Sequence, residues 1–199
     1  MDTIGSGRIE LIPSSAAHIR IELESPGLLA GKLNARISKN WPSGEYDRDA
    51  MEFFLSCFEK GGEAVQGWYG WYAIKIDSQD GERALVGAAG YFGPPDKDGQ
   101  VEVGYSVLPE WQRRGYATEM VDLLVSHAFA FPETHRIIAH TVAENEGSIK
   151  VLISNGFSHA GIDDNKLRFE LARAHYFGSS KKHRLCQNLN SNPEVPSAR

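Results

Sequence analysis

Tyr105-Ser106-Val107-Leu108-Pro109-Glu110-Trp111-Gln112-Arg113-Arg114-Gly115-Tyr116-Ala117-Thr118 decides how this 199-residue chain reads. An extended run stops at Pro109, a short polar turn follows, and the hydrophobic period then changes. From Gly115 to Phe129, residues Ala117, Met120, Val121, Leu124 and Ala128 share one face of a predicted helix, which Pro132 ends. The first amides of a helix lack partners within it, and its dipole adds partial positive charge there. Glycine at 115 lets the backbone curl and come close, Ala117 leaves room, and Arg113 and Arg114 add charge. An anion site is built this way from backbone. An ordinary strand-to-helix turn with two solvated arginines has the same spacing, so the turn alone does not name a ligand. The spaced glycines of a Walker loop or a dinucleotide fingerprint are missing.

Working upstream, Gln100 to Leu108 predicts a strand, preceded by Ala84 to Phe92 and by the aromatic run Trp68 to Ile76, with a turn at Asp80-Gly81. Before these, Asp47 heads an amphipathic helix carrying Met51, Phe54, Leu55 and Phe58, stopped by Gly61-Gly62. Leu28 to Ile37 predicts a short helix, and Ser14 a cap for another ending at Glu24. Arg8 to Ile12 predicts the first strand. Downstream come a strand from His135 to Val142, a helix from Asn145 to Asn155, and two strands around Asp163-Asp164-Asn165. Helices, a meander, then strand–helix–strand–helix–strand imply one mixed sheet covered by helices.

The length fits one domain, residues 8–172, followed by a polar C-terminal tail over 173–199. With 41% hydrophobic residues the chain can bury a sizeable core without a metal or disulfide staple. Cys57 and Cys186 are far apart and lack zinc-like spacing, so they read as reduced thiols, and no metal is expected. The first residues do not resemble a secretory signal, and no apolar run approaches the roughly 20 residues of a membrane span. A cytoplasmic protein without a membrane partner is expected. A net charge of -5 argues against broad attraction to nucleic acid.

Gln112-x-x-Gly115-x-Ala117, after a strand ending Gly104-Tyr105-Ser106-Val107, resembles the acetyl-CoA signature of the GNAT acetyltransferase superfamily. A second block agrees with it: Asn145-x-x-Ser148, then Ile149, Leu152 and Asn155-Gly156-Phe157, is similar to a downstream helix of that fold. It looks most like the branch holding the ribosomal-protein N-terminal acetyltransferases. The resemblance spans roughly Arg8 to Ala172.

The resemblance implies an α+β fold: a single central, mostly antiparallel sheet, splayed between two parallel strands, with helices on both faces. Pantetheine would enter the splay and pair with the edge around Ser106, Val107 and Leu108. The Val107 amide or its neighbour would polarise the thioester carbonyl. Amides from Arg113 to Thr118, through Arg114, Gly115, Tyr116 and Ala117, would hold the pyrophosphate. Asn145 would contact pantetheine, a role compatible with capping its helix. An amine would attack acetyl-CoA directly, accelerated mainly by positioning. Ser148 matches the general acid of the ribosomal-protein branch; many relatives instead place a tyrosine where Leu152 stands. Ser148 also reads as a plain surface serine. Glu102 could accept the amine proton through water, or be a solvated strand residue, and His140 is a second base candidate. Trp41, Trp68, Tyr69, Trp71 and Tyr72 include candidates for facing the acceptor, core packing being the alternative. The acceptor would be a protein N-terminus or a small-molecule amine, and a homodimer is compatible with the family. A non-catalytic acyl-CoA sensor is the competing reading.

Overall fold

A computed structural model describes residues 2–42, 44, 46–76 and 81–178. The order is β1 (Ile4–Gly5), β2 (Ile9–Pro13), α1 (Ala16–Glu24), α2 (Leu29–Leu33), α3 (Arg48–Gly61), β3 (Gly70–Lys75), β4 (Ala84–Tyr91) and β5 (Gln100–Val107). There follow α4 (Tyr116–Ala130), β6 (Arg136–Thr141), α5 (Glu146–Ser154), β7 (Ser158–Asp163), β8 (Lys166–Ala172) and α6 (Arg173–Gly178). The strands form one eight-stranded sheet, β1-β2-β3-β4-β5-β6-β8-β7. Every neighbouring pair is antiparallel except β5–β6. The expected mixed sheet is therefore observed.

Local chemistry explains the boundaries. The Asp47 side chain caps α3 by accepting the Ala50 N–H at 3.0 Å. The β7–β8 hairpin turns on Asp164 and Asn165, both at positive φ (47° and 63°), the backbone that a two-residue turn between twisted strands demands. Helix α4 buries Met120, Val121, Leu124, Val125, Ala128 and Phe129. Its apolar face is wider than the spacing implied, and truncating Leu124 to alanine there would cost about 2–5 kcal/mol. These residues join inward-facing side chains of β2 to β6 and β8 in the largest core cluster, with Leu152 of α5 and Tyr176 of α6. Two smaller clusters cover the opposite face, one built from α1 and α3 and one from α2.

Several boundaries move from their expected places. Ser15, not Ser14, caps α1, accepting from His18 N–H at 3.3 Å; Ser14 is buried and donates to the Gly70 carbonyl at 2.7 Å. The helix expected over Leu28 to Ile37 shortens to Leu29–Leu33, because Asn34 turns left-handed (φ 47°) and Arg36 bridges to Ala84. The sheet starts before Arg8, with β1. Arg173–Gly178, the start of the expected polar tail, is helical, and Tyr176 packs on Phe129 with ring centres 5.1 Å apart. Asp80, Cys186 and residues 179–199 lie outside the described residues.

Candidate active site

The parallel strands β5 and β6 pair at Gln100↔Arg136, Val101↔Ile137 and Glu102↔Ile138, and there the ladder stops. Beyond it both strands continue, β5 to Val107 and β6 to Thr141, and a cavity of about 820 Å³ opens between and beside them. Phe92 N–H donates to the Glu102 carbonyl at 3.1 Å, and Leu108 N–H to the Val86 carbonyl at 2.9 Å. Antiparallel bonding alternates, so Gly104 and Ser106 also point their backbone at β4, while Tyr105 and Val107 turn theirs toward the gap. The Val107 N–H is thus the donor aimed into the slot, and its carbonyl accepts from Gln112 Nε2 at 3.0 Å. Gln112 ties the turn back to the strand.

This geometry takes one expected pantetheine partner, Leu108, off the slot. Leu108 is fully buried, its N–H goes to Val86, and its carbonyl accepts from Trp111 N–H at 2.8 Å, so it offers the slot nothing. Ser106 borders the cavity while its backbone pairs with Ala88 of β4.

The turn after β5 is shaped by two left-handed residues, Arg113 (φ 59°) and Gly115 (φ 85°). A side chain at 115 would be strained by that φ, and a Cβ there would meet Arg8 Nη2 at 3.2 Å. The first helical bond of α4 runs from Glu119 N–H to the Gly115 carbonyl at 3.2 Å, so the Ala117 and Thr118 amides precede the helical ladder. Both residues line the cavity, as does Arg113. Arg114 does not line it; its guanidinium stacks over Trp111, 5.0 Å from the ring centre. Tyr116 is buried, leaving its backbone as the part able to serve a ligand at this turn. Arg8, which sequence reasoning missed, braces the turn. Its Nε donates to Glu119 Oε1 at 2.6 Å and its Nη2 to the Arg114 carbonyl at 3.2 Å. Nothing in the local sequence marks it, since its partners lie more than a hundred residues away.

Across the slot, Asn145 caps α5, accepting the Ser148 N–H at 3.0 Å, and it also lines the cavity. Ser148 is held by a residue the sequence did not single out: Tyr105 brings its hydroxyl to 2.9 Å from Ser148 Oγ. Burial pushes the Tyr105 hydroxyl up to about 12, opposed by its bond to Ser148. A tyrosine alternating with Val103 and Val107 on an inward face was the available signal, because a buried hydroxyl needs a partner. Leu152 is fully buried in the core and does not line the cavity.

Glu102 and His140 meet: His140 Nδ1 lies 2.7 Å from Glu102 Oε1, and Nε2 lies 3.2 Å from Asp163 Oδ2. Burial lowers the affinity of this imidazole for its proton, but bonds to and charges on the two carboxylates outweigh that and raise its pKa above 6.5. The two base candidates therefore form one unit with Asp163 behind it.

Of the aromatic residues expected near the acceptor, Trp41, Trp68, Tyr69, Trp71 and Tyr72 all stay off the cavity wall. Trp68, Tyr69, Trp71 and Tyr72 are buried, and Trp41 supports the wall from behind. On the α3 side, aromatic residues lining the cavity include Tyr46, Phe54 and Phe92. Tyr46 is fixed by the buried carboxylate of Glu22, which accepts from Tyr46 at 2.6 Å, Tyr72 at 2.5 Å and Trp41 Nε1 at 2.9 Å. Burial raises the Glu22 pKa, and these three donors oppose the rise. Among the described residues no cluster of three or more His, Cys, Asp or Glu could hold a metal ion, and no helix is long and apolar enough to cross a membrane.

Comparison with known proteins agrees with this geometry. Residues 22–158 match the acetyltransferase (GNAT) domain family. The uncharacterized N-acetyltransferase YjdG of Bacillus subtilis is 28% identical over 126 residues, 63% of this chain and 71% of that protein. Among solved structures, the ribosomal-protein alpha-N-acetyltransferase RimL in complex with coenzyme A superposes with a TM-score of 0.59, covering 86% of this chain and 98% of that one at 12% identity. The spermidine N-acetyltransferase of Vibrio cholerae gives 0.57, covering 88% and 100% at 14% identity. At these identities the superpositions show the fold alone, whereas the domain match shows the family. A sheet splayed after three parallel residue pairs, a left-handed glycine turn at its mouth and a domain match over most of the chain lead to one conclusion: the chain belongs to the GNAT acetyltransferase family and is an N-acetyltransferase.

Proposed function

We propose that the chain moves the acetyl group of acetyl-CoA to a primary amine while both are bound, with the parted strands β5 and β6 as the meeting place. The observation that carries this reading is the Val107 N–H directed into the gap, on the stretch of β5 beyond the end of the β5–β6 ladder. The residues fit the cosubstrate. Amides at the head of α4, with Ala117 and Thr118 ahead of the helical ladder and Arg113 on the wall, suit a diphosphate. The unpaired edge of β5 suits an amide-bearing arm. Acetyl-CoA supplies an activated acyl group when bound.

The protein's own groups divide the proton work between the two faces of the sheet. Glu102, with His140 and Asp163 behind it, sits on the α3 side and would take the proton of the incoming amine. Tyr105 and Ser148 sit on the α5 side, and their hydroxyl pair would hand a proton to the departing sulfur. Val107 N–H would polarise the carbonyl between them. The hydroxyl pair also weighs against the sensor alternative: a half-buried tyrosine on β5 offers a donor from the strand where relatives place one at the position of Leu152.

The test offers purified protein acetyl-CoA and a panel of primary amines while free thiol is followed. Acceptor-dependent thiol release is expected, reduced roughly tenfold or more in Ser148→Ala. Tight cofactor binding without release across a broad panel would leave a sensor and end the enzymatic reading.

A further inference from the structure

On the α3 side of the slot the cavity continues over three glycines. Gly70 of β3, Gly90 of β4 and Gly104 of β5 stand in register across three adjacent strands, and all three border the cavity. The outer two carry aromatic rings from elsewhere. The Phe54 ring lies 3.6 Å from where a Gly70 Cβ would stand, and the Phe92 ring 3.2 Å from where a Gly104 Cβ would stand. Two strand spacings, about 10 Å, separate those glycines, so the two rings stand over the outer strands with Gly90 between them. Tyr46 closes the side next to Phe54, with ring centres 6.2 Å apart, and its hydroxyl is already committed to Glu22. Among the described residues around the cavity, Glu102 is the one carboxylate.

We infer that the acceptor is a small primary amine with a single positive charge on a flat or unbranched apolar body. This rests on the acetyl-transfer reading and names the substrate class of the same site. The amine end belongs by Glu102, where the proton must leave, and the body lies in the ring-walled basin. A polyamine would set further ammonium groups among these rings, where the described residues lining the cavity offer no second carboxylate. The attraction of an ammonium to a ring face is weaker than the cost of stripping its water without a counter-charge. A peptide N-terminus would bring a backbone N–H and C=O at each residue into the same basin, and these need more partners than Phe54, Phe92, the engaged Tyr46 and the single hydroxyl of Ser106 provide.

The test compares 2-phenylethylamine and hexylamine with spermidine and a short unblocked peptide, using saturating acetyl-CoA, thiol release and calorimetric binding to the CoA-loaded protein. The apolar monoamines are expected to exceed spermidine and the peptide by about 100-fold in kcat/KM. Phe92→Ala should raise their KM about tenfold with kcat within twofold and CoA affinity unchanged. Preference for spermidine or the peptide would overturn this substrate class while leaving acetyl transfer standing. Binding of 2-phenylethylamine without thiol release would keep the basin and sink the transfer reading. Absence of any such binding would overturn the basin itself.

Discussion

Strands β5 and β6 behave as two different structures along one shared line. Over Glu102 and the two residues before it they are zipped, and the Gly99 carbonyl extends the closure by accepting from His135 N–H at 2.7 Å. From Val103 onward they are apart, with the Tyr105–Ser148 hydroxyl pair reaching across the opening from β5 to α5. A parallel ladder normally satisfies the backbone on both strands. Ending it early leaves donors such as Val107 N–H aimed where a ligand can reach them. The difference between the two ends teaches that this site is made by withholding secondary structure, not by adding residues to it. The zipped end fixes the direction of both strands, and the open end uses it.

The largest effect expected on breaking the open end is at its mouth. Gly115 holds φ 85° with Arg8 Nη2 against its open face, so Gly115→Val strains the turn that presents the α4 amides. A strained left-handed residue costs about 1–3 kcal/mol, and if the turn shifts to relieve it, CoA affinity should fall roughly 10- to 100-fold by calorimetry. Unchanged affinity would mean that the diphosphate is held elsewhere. A smaller effect is expected inside the slot. Tyr105→Phe removes one hydroxyl but leaves Ser148 in place, so kcat should drop roughly tenfold with little change in CoA affinity. Equal loss in both would make Tyr105 a packing residue.

These variants also mark where the sequence was readable. The zipped half of the sheet, the α4 face and the glycine turn are local patterns, since periodicity and φ requirements are written within a few adjacent residues. Gln112, Gly115 and Ala117 could be found that way, and so could Asn145 as a cap. What joins distant segments could not. Arg8 meets Glu119, Tyr46 meets Glu22, and Tyr105 meets Ser148 only after the chain has folded. Leu108 shows the reverse error: it follows Val107 in sequence, but strand alternation turns its N–H to Val86 and takes it out of the slot. The aromatic run from Trp68 to Tyr72 looked available for an acceptor because composition does not report which face a ring takes; burial in the closed half of the sheet claims Trp68, Tyr69, Trp71 and Tyr72.

Two histidines sharpen the contrast between closed and open regions most finely. His127 of α4 is packed among Trp68, Trp71, Tyr91 and Phe131, and burial brings its pKa down to about 4. His140, by the slot, is raised above 6.5 by Glu102 and Asp163 despite burial's opposing pull. The signs of their contributions to stability are opposite. Below pH 6.5 the unfolded chain protonates His127 while the folded chain resists, so stability is lost as pH falls from 6.5 toward 4. His140 binds its proton more tightly when folded, so its contribution is full below 6.5 and disappears as pH rises through its raised value. Between pH 7 and 5.5, urea unfolding should show the parent losing about 1 kcal/mol relative to His127→Phe, and gaining relative to His140→Gln. Parallel curves for parent and His127→Phe would mean that water reaches the closed half of the sheet, and the division between a sealed half and an open one would no longer hold.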